Sequence, residues 1–364
     1  MPPQKPQQII TIAQRILSDI RKRQLRPGDA YISTAEAAKD LKVSGSTVNR
    51  AFQLLAMRGI VERRQRRGTI ILDPDGQGIG GLERVQILVR EDHLQAEGQW
   101  MEGLLLGLQH SLPGVELSIR FRPVDDEQEF VQKLVGELLS EGQSTGVVLI
   151  RSGVVTQRLI QASGLPAVVN GTLHPSIQGL PSLDRDQHQI GRILIDDLVN
   201  RRSRKFLILM RERMVGGDHR MLDAALAALS DHGITQKDFV LRFLPADSAA
   251  IHAEVETQLR KLGRHVGCLC RSERLADGVL KVVEQVGLAG AHIPKVAMAD
   301  VASSSEPQPF SSITPELSAE QWGRRVGELL LASIKGELGR AEEEVIPVTI
   351  VPAAKGSVKD LVKD

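Results

Sequence analysis

Between Ile9 and Leu72 the sequence carries a helix signal, a tight turn, a capped short helix, a second helix with one polar face and a basic hairpin, and that order leaves few folds open. Ile9, Ala13, Ile16, Leu17 and Ile20 recur at i, i+3, i+4 and form one apolar helical stripe. Arg21, Lys22 and Arg23 suit the negative end of that helix's dipole. Pro27-Gly28-Asp29 reads as a turn, and Ser33-Thr34-Ala35-Glu36 has the spacing of a capping box for a helix running through Leu41. Ser44 is a good N-cap for the next helix, with Val43 and Val48 spaced to form a hydrophobic staple across its start. Val48, Phe52 and Leu55 then face inward, while Ser46, Asn49, Arg50 and Gln53 share the opposite face. In a major groove, Asn and Gln suit adenine edges and Arg suits guanine.

After Gly59, the apolar segments Ile60-Val61-Glu62 and Thr69-Ile70-Ile71-Leu72 flank Arg63-Arg64-Gln65-Arg66-Arg67-Gly68. A cationic hairpin directly after a polar-faced helix suits phosphates or a minor groove, and Gly68 supplies the unusual backbone angle of the turn. The pattern predicts a winged helix-turn-helix that reads double-stranded DNA. Its expected contacts are Ser44, Ser46, Thr47, Asn49, Arg50 and Gln53 in the major groove, with Arg64, Arg66, Arg67 and Gly68 at the wing.

This stretch resembles the DNA-binding domain of the GntR family of bacterial transcription regulators. The residues that carry the resemblance are Pro27-Gly28-Asp29, Val43-Ser44, Thr47-Val48, Ala51 and Gly68-Thr69. Arginines usual in the family fall here on Ala35, Gly45 and Asn49, the last beside Arg50, so the family's operator sequence does not carry over.

The charge distribution agrees with a two-part chain. Among 364 residues the net charge is +1, yet residues 1–80 hold 14 Lys and Arg against 7 Asp and Glu, and the rest hold 32 against 38. Only the first part is suited to a polyanion. No apolar run is long enough to span a membrane, and Met1-Pro2-Pro3-Gln4-Lys5-Pro6 has no signal-peptide core, so a cytoplasmic protein is expected. Cys268 and Cys270 are spaced to share one face of a strand, lack further metal-type ligands around them, and read as buried free thiols.

Residues 1–73 are expected to form the DNA-binding domain, 74–82 a linker, 83–352 an effector-binding and dimerisation domain, and 353–364 a tail. The linker's Gly76, Gly78 and Gly81 satisfy G-x-G-x-x-G, but a dinucleotide site needs that motif after a strand and before a helix. Here the glycines precede Arg84-Val85-Gln86-Ile87-Leu88-Val89, which reads as a strand, so no cofactor is expected.

Beyond the linker, apolar strands at 84–90, 115–121, 146–150, 166–170, 205–210, 238–244, 266–270 and 295–299 alternate with helical periods at 95–112, 126–140, 187–201, 218–232, 248–262 and 273–287. This is the signature of parallel α/β sheets, with enough strands for two of them. Such sheets bind ligands beyond the carboxyl ends of their strands, which makes a cleft between two lobes the expected pocket.

Several phrases are similar to the LacI/GalR effector domain, a bilobal fold shared with periplasmic sugar-binding proteins. Leu165-Pro166-Ala167-Val168-Val169-Asn170 looks like that family's strand ending in a ligand-facing Asp or Asn, and Ser182-Leu183-Asp184-Arg185-Asp186 like its inter-lobe crossover. Gly217-Asp218-His219-Arg220 resembles the helix start whose arginine contacts effector. Cys270-Arg271-Ser272-Glu273 falls where the family has an Asn-Asp pair, and Val296 through Asp300 where it has V.GFD. Ser311-Ser312-Ile313 and Gly323 to Leu330 fit its last crossover.

The fold class expected is therefore α/β, an N-terminal winged helix-turn-helix joined to a bilobal periplasmic-binding-protein-like domain with two parallel sheets. A GntR-type reader joined to a LacI-type sensor resembles the AraR group of sugar-responsive repressors. That resemblance implies a homodimer on a palindromic operator, released or tightened by a small-molecule effector. Effector contacts are expected from Asn170, Arg220, Ser272 and Asp300, then from Glu91, Asp92, Trp100, Arg151 and Asp184 near strand ends. A sugar is the family expectation, although only 3% of residues are aromatic and few rings are available to stack on one. Two other readings stay open at this point. The α/β part only dimerises or binds a protein, or it is an enzyme. The enzyme reading lacks H-E-x-x-H, G-x-S-x-G and P-loop motifs, and His252-Ala253-Glu254 has no downstream P-C-x-x-C.

Overall fold

The apolar stripe of the first predicted helix becomes α1 (Pro6–Lys22), in which Ile12, Ala13, Ile16, Leu17 and Ile20 are buried. The structure, a computed structural model, describes residues 6–57, 60–64, 68–72, 74, 82–91, 94–123, 125–141, 144–288, 290–302, 304, 306–336 and 343–354. Ser33 caps α2 (Thr34–Leu41) through the expected box: the Glu36 amide donates to the Ser33 hydroxyl at 3.2 Å and the Ser33 amide to the Glu36 carboxylate at 2.8 Å. In α3 (Gly45–Met57), Val48, Phe52 and Leu55 face inward as the spacing predicts, and Val43 packs on the same core. The hairpin strands are β2 (Val61–Arg64) and β3 (Gly68–Ile71).

A third strand, β1 (Ala30–Tyr31), pairs antiparallel with β3 and had no signal of its own in the sequence. It is two residues long, and the Tyr31 ring meets Phe52 edge to face at 5.9 Å, so tertiary packing rather than local pattern defines it. The three-stranded order is β1-β3-β2.

The chain divides into two units, Met1–Glu91 with Leu104–Leu183 and Glu320–Glu344, and Asp92–Gly103 with Asp184–Ala319 and Val345–Asp364. Beyond the winged helix, β4 (Arg84–Arg90), α4 (Leu94–Ser111), β5 (Glu116–Arg122), α5 (Glu127–Ser140), β6 (Thr145–Ile150), α6 (Val154–Ser163) and β7 (Ala167–Asn170) alternate as expected. Their sheet has the order β14-β8-β7-β6-β4-β5, completed by β8 (Ser182–Arg185) and β14 (Glu343–Ile346), and β8, β7, β6, β4 and β5 run parallel.

The second unit repeats the alternation with α7 (Gln187–Asn200), β9 (Lys205–Arg211), α8 (Gly216–Asp231), β10 (Phe239–Leu244), α9 (Ser248–Leu262), β11 (Val266–Cys270), α10 (Glu273–Val286) and β12 (Lys295–Met298). All four strands are parallel in the order β10-β9-β11-β12. Strands such as β6 and β11 are buried along their whole length, which is why they read as continuous apolar runs. A separate antiparallel pair joins β13 (Ser312–Pro315) to β15 (Val348–Val351), and α11 (Ala319–Lys335) lies between them in sequence.

The periodicity missed α6, α11, β8, β13, β14 and β15 as elements, although α11 is 17 residues long. The strands are only 4 residues each and α6 only 10, too short for a period to declare itself. The glycines of the G-x-G-x-x-G match, at 76, 78 and 81, lie outside the described residues, as do 355–364 of the expected tail.

Candidate nucleic-acid interface and effector site

The polar face of α3 is built by its own N-terminus. Ser44 accepts the Thr47 amide at 3.2 Å and pairs its hydroxyl with those of Thr47 at 2.7 Å and Ser46 at 2.9 Å. Ser44, Ser46, Arg50 and Gln53 are exposed and Asn49 is half-buried, so one helix face offers a row of donors and acceptors to solvent. Thr47 corrects the expectation. It is buried and its hydroxyl pairs with that of Ser44, so this residue braces the helix start.

The wing adds a residue that sequence reasoning passed over. Arg63, on β2, donates to the Asn49 side-chain oxygen and lies 6.0 Å from the centre of the Phe52 ring. It ties the hairpin to α3. Gly68 is exposed at φ 79°, as the turn requires. Arg66, Arg67 and the side chain of Arg64 lie outside the described residues.

Behind this face, the Tyr31 hydroxyl donates to Asp19 at 2.6 Å and Arg23 pairs with the same carboxylate at 2.7 Å. Burial pushes the Tyr31 phenol up, and the neighbouring Asp19 pushes it further. Burial alone would raise Asp19, but the hydrogen bonds from Tyr31 and Arg23 outweigh it and hold this carboxyl below its ordinary value.

In the first unit, Arg151 follows β6 directly and Asn170 ends the neighbouring strand β7, with the Arg151 amide donating to the Asn170 carbonyl at 3.0 Å. Arg151 adopts a left-handed backbone at φ 46°, a conformation that costs energy for a side chain with a Cβ and is enriched at functional sites. Asn170 accepts the Trp322 indole N–H at 2.8 Å, so its amide oxygen is oriented by α11. Glu91 is exposed past the end of β4, and Asp92 lies outside the described residues. Trp100 is half-buried on α4.

In the second unit the expected Asp300 stands just beyond β12, buried and engaged. It accepts from Arg185 Nη1 at 2.7 Å and Arg211 Nη2 at 3.3 Å, with Arg271 Nη1 at 3.8 Å. Arg271 also donates to the Ala299 carbonyl at 2.7 Å and, from Nε, to Asp218. Arg211 lies 3.9 Å from the same Asp218. Asp184 is buried on β8, its carboxylate accepting the Arg185 amide at 2.8 Å and the Gln187 amide group at 2.9 Å. Ser272 is buried at the N-cap of α10, and Arg220 is half-buried within α8. The structure thus gathers Arg185, Arg211, Arg271 and Asp218 around Asp300, four residues absent from the sequence-based site.

Among the described residues no group of three or more His, Cys, Asp or Glu side chains is placed to hold a metal ion, and no helix is long and apolar enough to cross a membrane. Cys268 and Cys270 are buried free thiols as predicted.

Residues 9–71 match the family model of bacterial regulatory proteins, gntR family. No curated protein sequence matches the chain. Among solved structures, a transcriptional regulator CelR in complex with cellobiose is similar at 19% identity and a TM-score of 0.62, over 85% of this chain and 90% of that one. A LacI family transcriptional regulator from Enterococcus faecium with bound ribose is 15% identical, with a TM-score of 0.59 over 74% and 99%. A PurR family transcriptional regulator from Vibrio parahaemolyticus is 18% identical, with a TM-score of 0.60 over 74% and 98%. At these identities the likeness is one of fold. The chain therefore joins a gntR-type winged helix to a bilobal α/β domain with the fold of LacI-type effector domains.

Proposed function

We propose that this protein is a sequence-specific transcription repressor of AraR-like arrangement, whose operator affinity is set by a small sugar-like effector held by the α/β domain. The observation that carries the reading is the exposed row Ser46, Arg50 and Gln53, with Asn49, on a capped helix inside a segment matched by the gntR family model. Residues 1–73 would bind DNA, 74–82 connect, 83–352 bind effector and dimerise, and 353–364 form a tail. The protein would work in the cytoplasm without catalysis or a cofactor. Asn170, Arg220, Ser272, Asp300, Glu91, Asp92, Trp100, Arg151 and Asp184 remain the residues proposed to line or support the effector site.

A homodimer on a palindromic operator is supported by the sheet edges. β5 is an edge strand with Ile119 and Phe121 exposed, and β10 is the edge strand of the second sheet with Phe243 exposed. Such apolar edges invite pairing with another chain. A ligand shifts DNA affinity only if it binds two states of the protein differently, with typical couplings of about 1–3 kcal/mol. The test is selection of genomic fragments by the purified full chain at low salt, repeated with a panel of small molecules. A bound fragment set released by one compound supports the reading; no fragment preference under any condition ends it.

A further inference from the structure

The strands of the second unit's four-stranded sheet are entered through four connections, 201–204 before β9, 232–238 before β10, 263–265 before β11 and 287–294 before β12. Together these hold five Lys or Arg and three His against one carboxylate, that of Asp238. Asp238 is taken up by Lys205 at 2.8 Å, and Arg201 pairs with Asp197 at 2.9 Å. Arg202, Arg204, Lys237 and Arg264 are left, all exposed and without a carboxylate partner among the described residues. The corresponding edge of the first unit's sheet is neutralised, because Arg84 at the start of β4 stands between Glu116 at 3.5 Å and Glu141 at 2.7 Å. Beyond residue 80 acids outnumber bases 38 to 32, so the composition conceals a cationic rim that only the fold assembles.

The Arg204 amide donates to the His265 carbonyl at 2.8 Å, which sets the entries to β9 and β11 side by side. Arg264 Nε donates to His292 Nε2 at 3.0 Å, which joins the entry to β12. An imidazole lone pair accepts that bond but brings no negative charge. At the roughly 4.8 Å spacing of neighbouring strands, the four entries form one rim roughly 15 Å long. Arg202 and His265 both adopt the left-handed backbone, at φ 67° and 59°, a conformation that glycine takes at least cost. Both are exposed, so core packing does not call for a side chain at either position. Cations in the last turn of a helix answer its dipole, as Arg260 and Lys261 of α9 do, but that attraction fades within a turn, and Arg204 and Lys237 stand beyond it.

No large apolar side chain is exposed along this rim among the described residues; Phe243, the exposed ring of the same sheet, stands near the opposite end of β10. A protein partner needs an apolar centre inside its polar surround, and a single nucleic-acid strand needs rings on which its bases stack. The phosphate rows of a duplex need neither, only Lys and Arg that displace counterions. We propose that the amino-terminal edge of this sheet is a second nucleic-acid surface, which holds the backbone of duplex DNA without reading its sequence, through Arg202, Arg204, Lys237 and Arg264. The winged helix proposed above to choose the operator is a separate surface, and this one adds affinity common to every duplex.

The test is fluorescence anisotropy of the full chain on a random duplex over a range of salt concentrations, the parent set against the combined Arg202→Gln, Arg204→Gln and Arg264→Gln variant. Each lost phosphate contact removes about 0.9 from the slope of log affinity against log salt, so the slope should fall by about 2 to 3. The ratio of affinities for a selected fragment and the random duplex should stay at the parent value, and lysine at the same three positions should keep the parent slope. Lys237→Gln with Arg204→Gln serves as the second variant should the first melt early, with an expected fall of about 2. An unchanged slope in the folded variants overturns the proposal. So does polyglutamate whose binding falls with the substitutions while duplex binding does not, which would assign the rim to an acidic protein. A chain with no fragment preference whose random-duplex slope still falls keeps this surface and loses the operator reading; fragment preference with a slope indifferent to the substitutions does the reverse.

Discussion

Arg271 and Asp218 form an ion pair with almost no solvent at either side chain, 2% and 0% exposed, in which the guanidinium Nε donates to the carboxylate. Asp218 also accepts the Val215 amide at 3.1 Å, and Arg271 donates to the Ala299 carbonyl, so the pair fastens the start of α8 to the ends of β11 and β12. Removing one partner of such a pair strands the other as a buried charge. Asp218→Ala should therefore destabilise the protein by about 3–5 kcal/mol in urea unfolding, and adding Arg271→Met should recover part of the loss. A single Asp218→Ala variant within about 0.5 kcal/mol of the parent would refute the arrangement.

Helices α4 and α11 approach through glycine. A Cβ on Gly323 would lie 2.1 Å from the Leu104 carbonyl oxygen, and one on Gly107 2.1 Å from that of Glu320. The obstacle is backbone in both cases, so the helices themselves must separate. Gly323→Ala should cost about 1–3 kcal/mol despite the better helix propensity of alanine. Gly136, exposed on α5 with open space around its Cβ position, is the control, and Gly136→Ala should stabilise by about 0.4–1 kcal/mol. Equal effects at the two sites, read from unfolding curves, would contradict the close approach.

Much of the fold was legible because its signals are local. The Ser33 to Glu36 box, the Val48, Phe52 and Leu55 stripe and the fully apolar strands β6 and β11 each declare themselves within a few residues. The two-residue β1 and the four-residue β13 to β15 have no such window and exist through pairing alone. The charged cluster around Asp300 was read less well, because single residues were weighed one at a time. Asp300 was among the residues singled out, but the arginines that pair with it were not. Their signal was present as a recurrence: Ile87-Leu88-Val89-Arg90, Val148-Leu149-Ile150-Arg151, Leu209-Met210-Arg211 and Cys268-Leu269-Cys270-Arg271 are all apolar strands running into arginine, each followed by Glu or Ser. Only the sheet order shows that these four strands are neighbours in pairs, β4 beside β6 and β9 beside β11.

Cys268 and Cys270 lie fully buried on β11. Burial pushes both thiols far above their ordinary range, and for Cys270 the neighbouring Cys268 and Asp277 push further in the same direction. The thiolate is the reactive form, so neither should react with a disulfide reagent at pH near 8 in the folded protein. Both should react at once in denaturant. Rapid labelling of either in the native state would show that β11 opens.

Asp238 accepts from Lys205 at 2.8 Å and from the Thr235 hydroxyl at 2.7 Å, and these bonds, led by Lys205, lower its carboxyl to about 2. Because the folded value lies below the ordinary 3.8, the contribution is complete above that value and is lost as pH falls through about 2. Asp238→Asn should flatten the fall in melting temperature across that acid window and leave the neutral-pH dependence unchanged. An unaltered acid profile would mean that the Lys205 contact carries no stability. Solvent reaches both partners, with the side chains of Lys205 and Asp238 38% and 19% exposed, so the effect should be small.

Arg50 and the wing arginines should separate by what they read. Arg50 is exposed on α3 beside Asn49, whose side-chain oxygen is held by Arg63, so the two neighbours differ in freedom: one is fixed by the wing and the other extends into solvent. A base contact by Arg50 would make Arg50→Ala cost about 1–3 kcal/mol on the selected fragment and little on a random duplex. Arg66→Ala should weaken both duplexes alike and lower the salt slope by about one, as loss of a phosphate contact does. A base contact by Asn49 would make Arg63→Ala act through it, reducing discrimination at that base while leaving the salt slope nearly unchanged. Anisotropy titrations of the variants on both duplexes at several salt concentrations distinguish the three outcomes, and equal losses for Arg50→Ala on selected and random DNA would show that this side chain grips phosphate instead.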